Sequence, residues 1–279
     1  MHRRFVTLVR SFAAVAALAA ASAAPAADLS KVYRIAFPTA ETGFDPARVS
    51  DLYSNTVNEA IFERLLTYDY LARPAKLVPL AAEAMPQVTD NGRTYTFRIR
   101  KGIHYTPDPA FKGRKRELVA GDFAYVIKRH ADPRNRSPWA FMVEGRIAGL
   151  DDAIAQARKS GRFDYDAKSP GLETPDPYTL VIRLVAPDYL FNYTVAHVPY
   201  GAMAREVVEA YGDDIGAHPV GTGPYVLKEW KRASRIVLEA NPDFRGFTWD
   251  FAPAEPAWDD ALVQTMRGKK MPQIGRVEI

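Results

Sequence analysis

No cysteine occurs among the 279 residues. That excludes a disulfide framework, a thiol nucleophile, a cysteine zinc site and a lipid-modified N-terminal cysteine. Stability must come from a large apolar core instead, and a chain of roughly 250 residues can bury about 70–75% of its unfolded surface. Histidine is scarce as well. Beyond His2 there are only His104, His130, His197 and His218, scattered and never three or four residues apart, so no metal site is legible. There is no Gly-x-Ser-x-Gly elbow, no His-Glu-x-x-His helix and no phosphate loop ending in Lys-Ser/Thr. The adjacent acids Asp151-Asp152 and Asp213-Asp214 diverge on a helix, so they read as helix N-terminal charge or solvated turn. No catalytic residue and no cofactor is expected, and a secreted hydrolase stands only as the alternative from another class.

An excess of one charge is missing too, once the N-terminus is set apart. Arg3 and Arg4 precede an apolar run from Phe5 to Ala21, broken by Thr7, Arg10 and Ser11, and small residues follow up to the first acid, Asp28. This is the anatomy of a cleavable export leader over 1–27. Phe12–Ala21 is far shorter than the ~20 apolar residues of a membrane span. The chain carries 37 Lys+Arg against 33 Asp+Glu, and removing Arg3, Arg4 and Arg10 leaves 34 against 33. The apparent basicity belongs largely to the leader, so neither nucleic acid nor an anionic membrane is expected as a partner. The expected product is a soluble periplasmic monomer.

What is present alternates between strand and helix signals. Val32–Phe37 and "TYTFRIRKG" alternate apolar and polar residues and predict strands, the second burying Tyr95, Phe97 and Ile99 behind a "TDNG" turn. Val57, Ile61 and Leu65 recur at helical spacing, with Ser54 or Asn55 as cap. "AGDFAYVIKRHADP" predicts a helix capped by Asp122 and closed at Asp132-Pro133. "LDDAIAQARKSGR" predicts one stopped by Gly161. "DPYTLVIRLVAPDY" reads as a strand with Leu180, Ile182 and Leu184 on one face, and Ala202–Tyr211 as a short helix. The basic residues of 112–116, with Arg100 and Lys101, read as a solvated face. Trp139 and Phe141 follow the loop "DPRNRSP", either folded back on the core or forming a ligand wall. "PVGTGPYVLKEWKRASRIVLEANPDFRG" reads as a glycine turn, two strands and a polar turn. The whole points to a mixed α/β fold without a strict βαβ rhythm, with a discontinuous layout possible.

"FDPARVSD", "NEAIFERLLTYD", "LVPLAAEA" with "DNGRTYTFRIRKGIHY", "LVAGDFAYVIKR" and "PVGTGPYVLKEW" with "IVLEANPDFRG" occur in that order. Together they resemble the family 5 extracellular solute-binding proteins, the peptide and nickel receptors of ABC importers. Two features depart from the family pattern: Met85 stands where a Trp is usual, and "TPDPAFKGRKRE" is a longer loop.

The resemblance implies a periplasmic-binding-protein-like type II fold with α/β (mixed α+β) sheets, of which this chain supplies the first lobe only. It implies a core subdomain from 28–62 and 204–279, an inserted subdomain over 63–203, and a second lobe and hinge that are absent. It also implies a small solute, by default a peptide, and ABC permease subunits as partners. The ligand would meet Ser50, Asp51 and Leu52 after Asp45-Pro46, and Trp139 at the cleft. Gly221, Thr222, Gly223, Pro224 and Tyr225 would form the structural turn, its glycines at backbone angles closed to other residues and its proline fixing the exit. A lone lobe is expected to bind weakly or not at all. The competing non-enzyme reading is a single-lobe regulatory protein that contacts a permease or sensor.

Overall fold

Alternation in "TYTFR" and "TLVIR" builds one sheet, and the hairpin after the glycine turn builds another. The computed structural model describes residues 27–253 and 260–279; the expected leader therefore lies, Ala27 aside, outside the described residues. In chain order the elements begin with β1 (Asp28–Arg34), α1 (Leu52–Ile61), β2 (Leu66–Tyr68), β3 (Leu77–Pro79), β4 (Gln87–Thr89) and β5 (Thr94–Arg98). Next come α2 (Ala120–Ala131), α3 (Leu150–Ser160), β6 (Leu172–Asp176), β7 (Thr179–Arg183), α4 (Phe191–Val195) and α5 (Arg205–Tyr211). Then follow β8 (Tyr225–Lys231), β9 (Arg235–Ala240), β10 (Phe247–Thr248), α6 (Asp260–Met266), β11 (Lys270–Met271) and β12 (Ile274–Glu278).

Two four-stranded sheets organise these elements. One runs β4-β5-β7-β6 and is antiparallel throughout. Its inward residues Tyr95, Phe97, Leu180 and Ile182 are all but sealed from solvent, as their two-residue period requires. The other runs β1-β12-β9-β8, with β1 parallel to β12 and the remaining pairs antiparallel. β1 begins at Asp28 and ends at Arg34 rather than covering Val32–Phe37, because its ladder with β12 starts at Asp28 opposite Ile274. One apolar cluster joins both sheets, from Phe44 and Ile61 through Phe97 and Leu180 to Ile236 and Leu238.

Helix caps differ from the sequence reading. Asp51 caps α1, accepting a hydrogen bond from the Ser54 backbone N–H at 2.7 Å. Ser54 and Asn55 therefore lie inside the helix, and Leu65 is buried beyond its end. Asp122 occupies the third helical position of α2 rather than the cap, and its carboxylate accepts from Val119 N–H at 2.9 Å. α2 does close at Asp132, ahead of Pro133, and α3 at Gly161, whose φ of 73° suits glycine.

Buried ion pairs stitch distant segments together. Arg129 of α2 holds Asp45 through two bonds of 2.7 and 2.9 Å, both side chains buried. Arg245 meets the buried Glu63 at 2.6 Å. The basic run at 112–116 is only partly a solvated face. Lys112, Arg114 and Lys115 are exposed, but Arg116 turns inward to Asp122 at 2.7 Å and Glu206 at 2.9 Å.

Candidate functional site

The Asp45-Pro46 loop begins from a fixed point. Asp45 accepts from the Ala47 N–H at 3.1 Å, besides its grip on Arg129, so the backbone turns sharply there. Phe44 N–H is tied to the Gly216 carbonyl at 2.9 Å. The chain then surfaces, and Ser50 and Leu52 are exposed, Leu52 to 70%.

Asp51 is committed internally. One carboxylate oxygen caps α1, and the other accepts from the Thr42 hydroxyl at 2.6 Å. Burial works against its charged form, yet the hydrogen bonds from Ser54 and Thr42 outweigh it and hold the carboxyl below the ordinary aspartate range. Its negative charge at the helix N-terminus is also favourable.

Trp139 closes the same face. Its indole Nε1–H donates to the Val49 carbonyl at 2.8 Å, one residue before Ser50. The ring is half-buried and packs against His197, with centroids 4.6 Å apart. Trp139 is therefore neither sealed in the core nor free of it: it braces the loop and keeps a partly open ring. Phe141, two residues on, is 67% exposed. The fold thus brings Ser50, Asp51, Leu52 and Trp139 together on one face, at the N-terminal end of α1.

His197 is the residue that sequence reasoning missed. Nothing in "TVAHVPY" marks it, because its neighbour Trp139 is distant in the chain. Its Nδ1 is buried and lacks a hydrogen-bond partner. Burial, and then the nearby Arg64 guanidinium, push its pKa below the usual histidine range, so the ring is neutral around pH 7. Its neutral ring backs Trp139 on this face.

The Gly221–Tyr225 turn lies elsewhere, at the C-terminal end of α1. Neither glycine adopts a positive φ, so backbone angles are not the reason for them. Close approach is. A Cβ on Gly221 would stand 2.0 Å from the Ile61 carbonyl oxygen, and one on Gly223 2.7 Å from that of Ala60. Gly223 N–H donates to Ile61 O at 2.8 Å, satisfying a terminal helix carbonyl. Thr222 is buried, the Pro224 carbonyl accepts from Asn241 N–H, and Tyr225 OH donates to the Ile274 carbonyl at 2.9 Å. The turn is a clasp that joins α1, β9 and β12.

Among the described residues, no three His, Asp or Glu side chains gather closely enough to hold a metal ion. No described helix is long and apolar enough to cross a membrane.

The mixed α/β fold matches part of the periplasmic binding proteins of the oligopeptide-binding type. Solved relatives match it over part of their length. The pheromone receptor PrgZ aligns with a TM-score of 0.66 at 22% identity, covering 89% of this chain and 42% of the receptor. Haemophilus influenzae OppA, in complex with RPPGFSPFR, aligns at 0.64 and 25% identity, covering 78% and 40%. The profile of the bacterial extracellular solute-binding proteins, family 5 Middle, matches residues 76–279, and the chain belongs to that family. Its members are non-catalytic solute-binding proteins of ABC importers. The periplasmic oligopeptide-binding protein OppA of Salmonella typhimurium is 29% identical over 211 residues, 75% of this chain and 35% of the relative. The glutathione-binding protein GsiB of Escherichia coli O1:K1 is 28% identical over 198 residues, 71% and 32% of the two chains. The chain thus spans about a third of the length of the curated relatives it matches.

Proposed function

We propose that this chain belongs to a periplasmic receptor that captures peptides or similar small solutes and delivers them to the membrane subunits of an ABC importer. Residues 1–27 act as its export leader. The observation that carries the reading is the Trp139–Val49 hydrogen bond of 2.8 Å. It sets the surface turn Ser50–Leu52, with Ser50 and Leu52 exposed, beside the half-buried indole. An extended peptide laid there finds main-chain partners along the loop and ring faces that accept many side chains. Ser50, Asp51, Leu52 and Trp139 are its contacts, joined by His197.

The two sheets support a division into a core subdomain, 28–62 with 204–279, and an inserted subdomain, 63–203. In this reading the 279 residues provide one side of the grip, and a second lobe and hinge complete it. Closure of two lobes is driven by contacts that exist only when both touch the ligand. If half of a micromolar binder's ~8 kcal/mol resides in the other lobe, about millimolar affinity remains here. Nuclear magnetic resonance titration with mixed tri- to pentapeptides tests this. Weak shifts confined to 50–53, 139 and 197 are expected. Micromolar binding would sink the one-lobe reading, and shifts elsewhere would sink the assignment of the face.

A further inference from the structure

We propose that a cavity at the far end of α1 is a second binding site, for a neutral, flat aromatic molecule. The cavity has a volume of about 1230 Å³ and lies where α1 ends, between the β2–β3 hairpin and the segment 244–251. α1 has 10 residues and so spans about 15 Å, which separates the cavity from the Ser50–Trp139–His197 face. None of those three residues lines it.

Its walls are rings. Tyr68, Tyr70, Phe244, Phe247, Trp249 and Phe251 all line it. The sequence "FTWDF" places three of these at alternate positions, and two of them, Trp249 and Phe251, gather against Tyr70. Ring centroids are 5.1 Å apart for Trp249 and Tyr70, 4.8 Å for Trp249 and Phe251, and 6.3 Å for Phe247 and Phe251. Much of this ring surface is open to solvent, with Tyr70 65%, Tyr68 46% and Phe247 44% exposed. Such a concentration of exposed rings marks a contact surface.

Charge decides what fits. Glu63 is neutralised by Arg245 at 2.6 Å and Glu59 by Arg64 at 2.9 Å. The Asp69 carboxylate accepts the backbone N–H groups of Leu71 and Ala72, and Arg100 donates to the carbonyls of Leu80 and Glu83. Glu83, Lys101 and Asp250 are exposed at the rim, where water solvates them. Asp69 and Arg100 are held by backbone groups and are opposite in sign, so an ion entering the cavity would shed water and meet no net opposite charge there. A neutral ring system loses little on desolvation and gains offset or edge contacts, which aromatic pairs favour at centroid separations of about 4.5–7 Å. The volume exceeds the ~300–1,000 Å³ usual for small-molecule pockets and so accommodates two or three fused or linked rings.

N-phenyl-1-naphthylamine, a neutral two-part aromatic fluorophore that brightens out of water, is the probe. Titrated into the whole chain, it should show one saturable site. Tyr70→Ala and Trp249→Ala should each weaken its affinity about tenfold, the scale set by loss of one aromatic contact. Tyr70 is largely exposed, so its replacement leaves folding intact, as a circular dichroism melt checks. Trp139→Ala should leave the affinity within about twofold. Unsaturable binding, binding unchanged in both cavity variants, or equal loss in Trp139→Ala would each overturn the proposal.

Discussion

Arg129 holds Asp45 by both terminal guanidinium nitrogens, at 2.7 and 2.9 Å, and both side chains are closed off from solvent. One partner belongs to α2, the other to the loop that carries Ser50–Leu52. The pair therefore anchors the candidate ligand face to a helix from the other sheet's layer. A fork-to-carboxylate pair is directional, so it fixes the angle of the loop as well as its distance.

Breaking the pair from one side leaves an uncompensated buried charge. Asp45→Asn should cost about 3–5 kcal/mol in urea unfolding. Arg129→Met in the same background should recover part of that loss, since the stranded cation disappears. Burial resists the charged form of Asp45, but Arg129 prevails and lowers its pKa. A depressed carboxyl contributes stability above the ordinary value of about 3.9 and loses it as pH falls through the folded value. The acid limb below about pH 4 should flatten in Asp45→Asn. An unchanged limb would remove Asp45 from the account.

The clasp at Gly221 depends on space alone. An alanine there would set its Cβ 2.0 Å from the Ile61 carbonyl oxygen, which is backbone and cannot swing away. Gly221→Ala should cost about 3 kcal/mol or more. At Gly113 φ is +76° and nothing lies within 4 Å, so alanine there meets only left-handed strain of about 1–3 kcal/mol. Equal melting temperatures for wild type and Gly221→Ala would refute the close-packing account.

Trp139→Phe keeps an aromatic ring but removes the indole donor to Val49. Net stability should fall by about 1 kcal/mol. The larger effect is local: amide hydrogens of 50–54 should exchange faster than in the wild type, while those of α2 stay unchanged. Peptide-induced resonance shifts on this loop should weaken in parallel. If exchange at 50–54 stays the same, the tether does not order the loop.

Much of the fold was legible because period-two alternation is a strong signal. Tyr95, Phe97 and Ile99, and Leu180, Ile182 and Leu184, are buried as their spacing predicts. The hairpin Tyr225–Lys231 and Arg235–Ala240 was equally plain. Caps were not, because Asp51, Ser54 and Asn55 are all good cap residues and only tertiary contacts choose among them. The role of Gly221 was hidden because its neighbour, Ile61, is remote in sequence. His197 was hidden for the same reason. The ring cluster around Trp249 joins Tyr70 to residues far along the chain, and no local period announces it.

His130 supplies the sharpest pH prediction. It is fully buried in α2. Its Nε2 lies 2.9 Å from the Pro199 carbonyl, which can only accept, so Nε2 carries the proton. Nδ1, 2.8 Å from the Ser137 hydroxyl, is then the acceptor of a neutral ring. Burial is the main force on this group and pushes its pKa down to about 4, against the partial support of the Pro199 carbonyl. The unfolded chain takes up a proton near the ordinary value of about 6.5, while the folded chain refuses it until about 4. Stability tied to His130 is therefore complete above pH 6.5 and drains away as pH falls through that window, by about 3 kcal/mol at the bottom. His197, only half-buried and also pushed down, adds a smaller slope of the same sign. Urea midpoints measured from pH 7 to pH 4.5 should fall in the wild type. In His130→Gln they should begin lower but change much less, because glutamine keeps a donor and an acceptor without titrating. A variant slope equal to the wild-type slope would show that the buried imidazole does not set the acid sensitivity in this range.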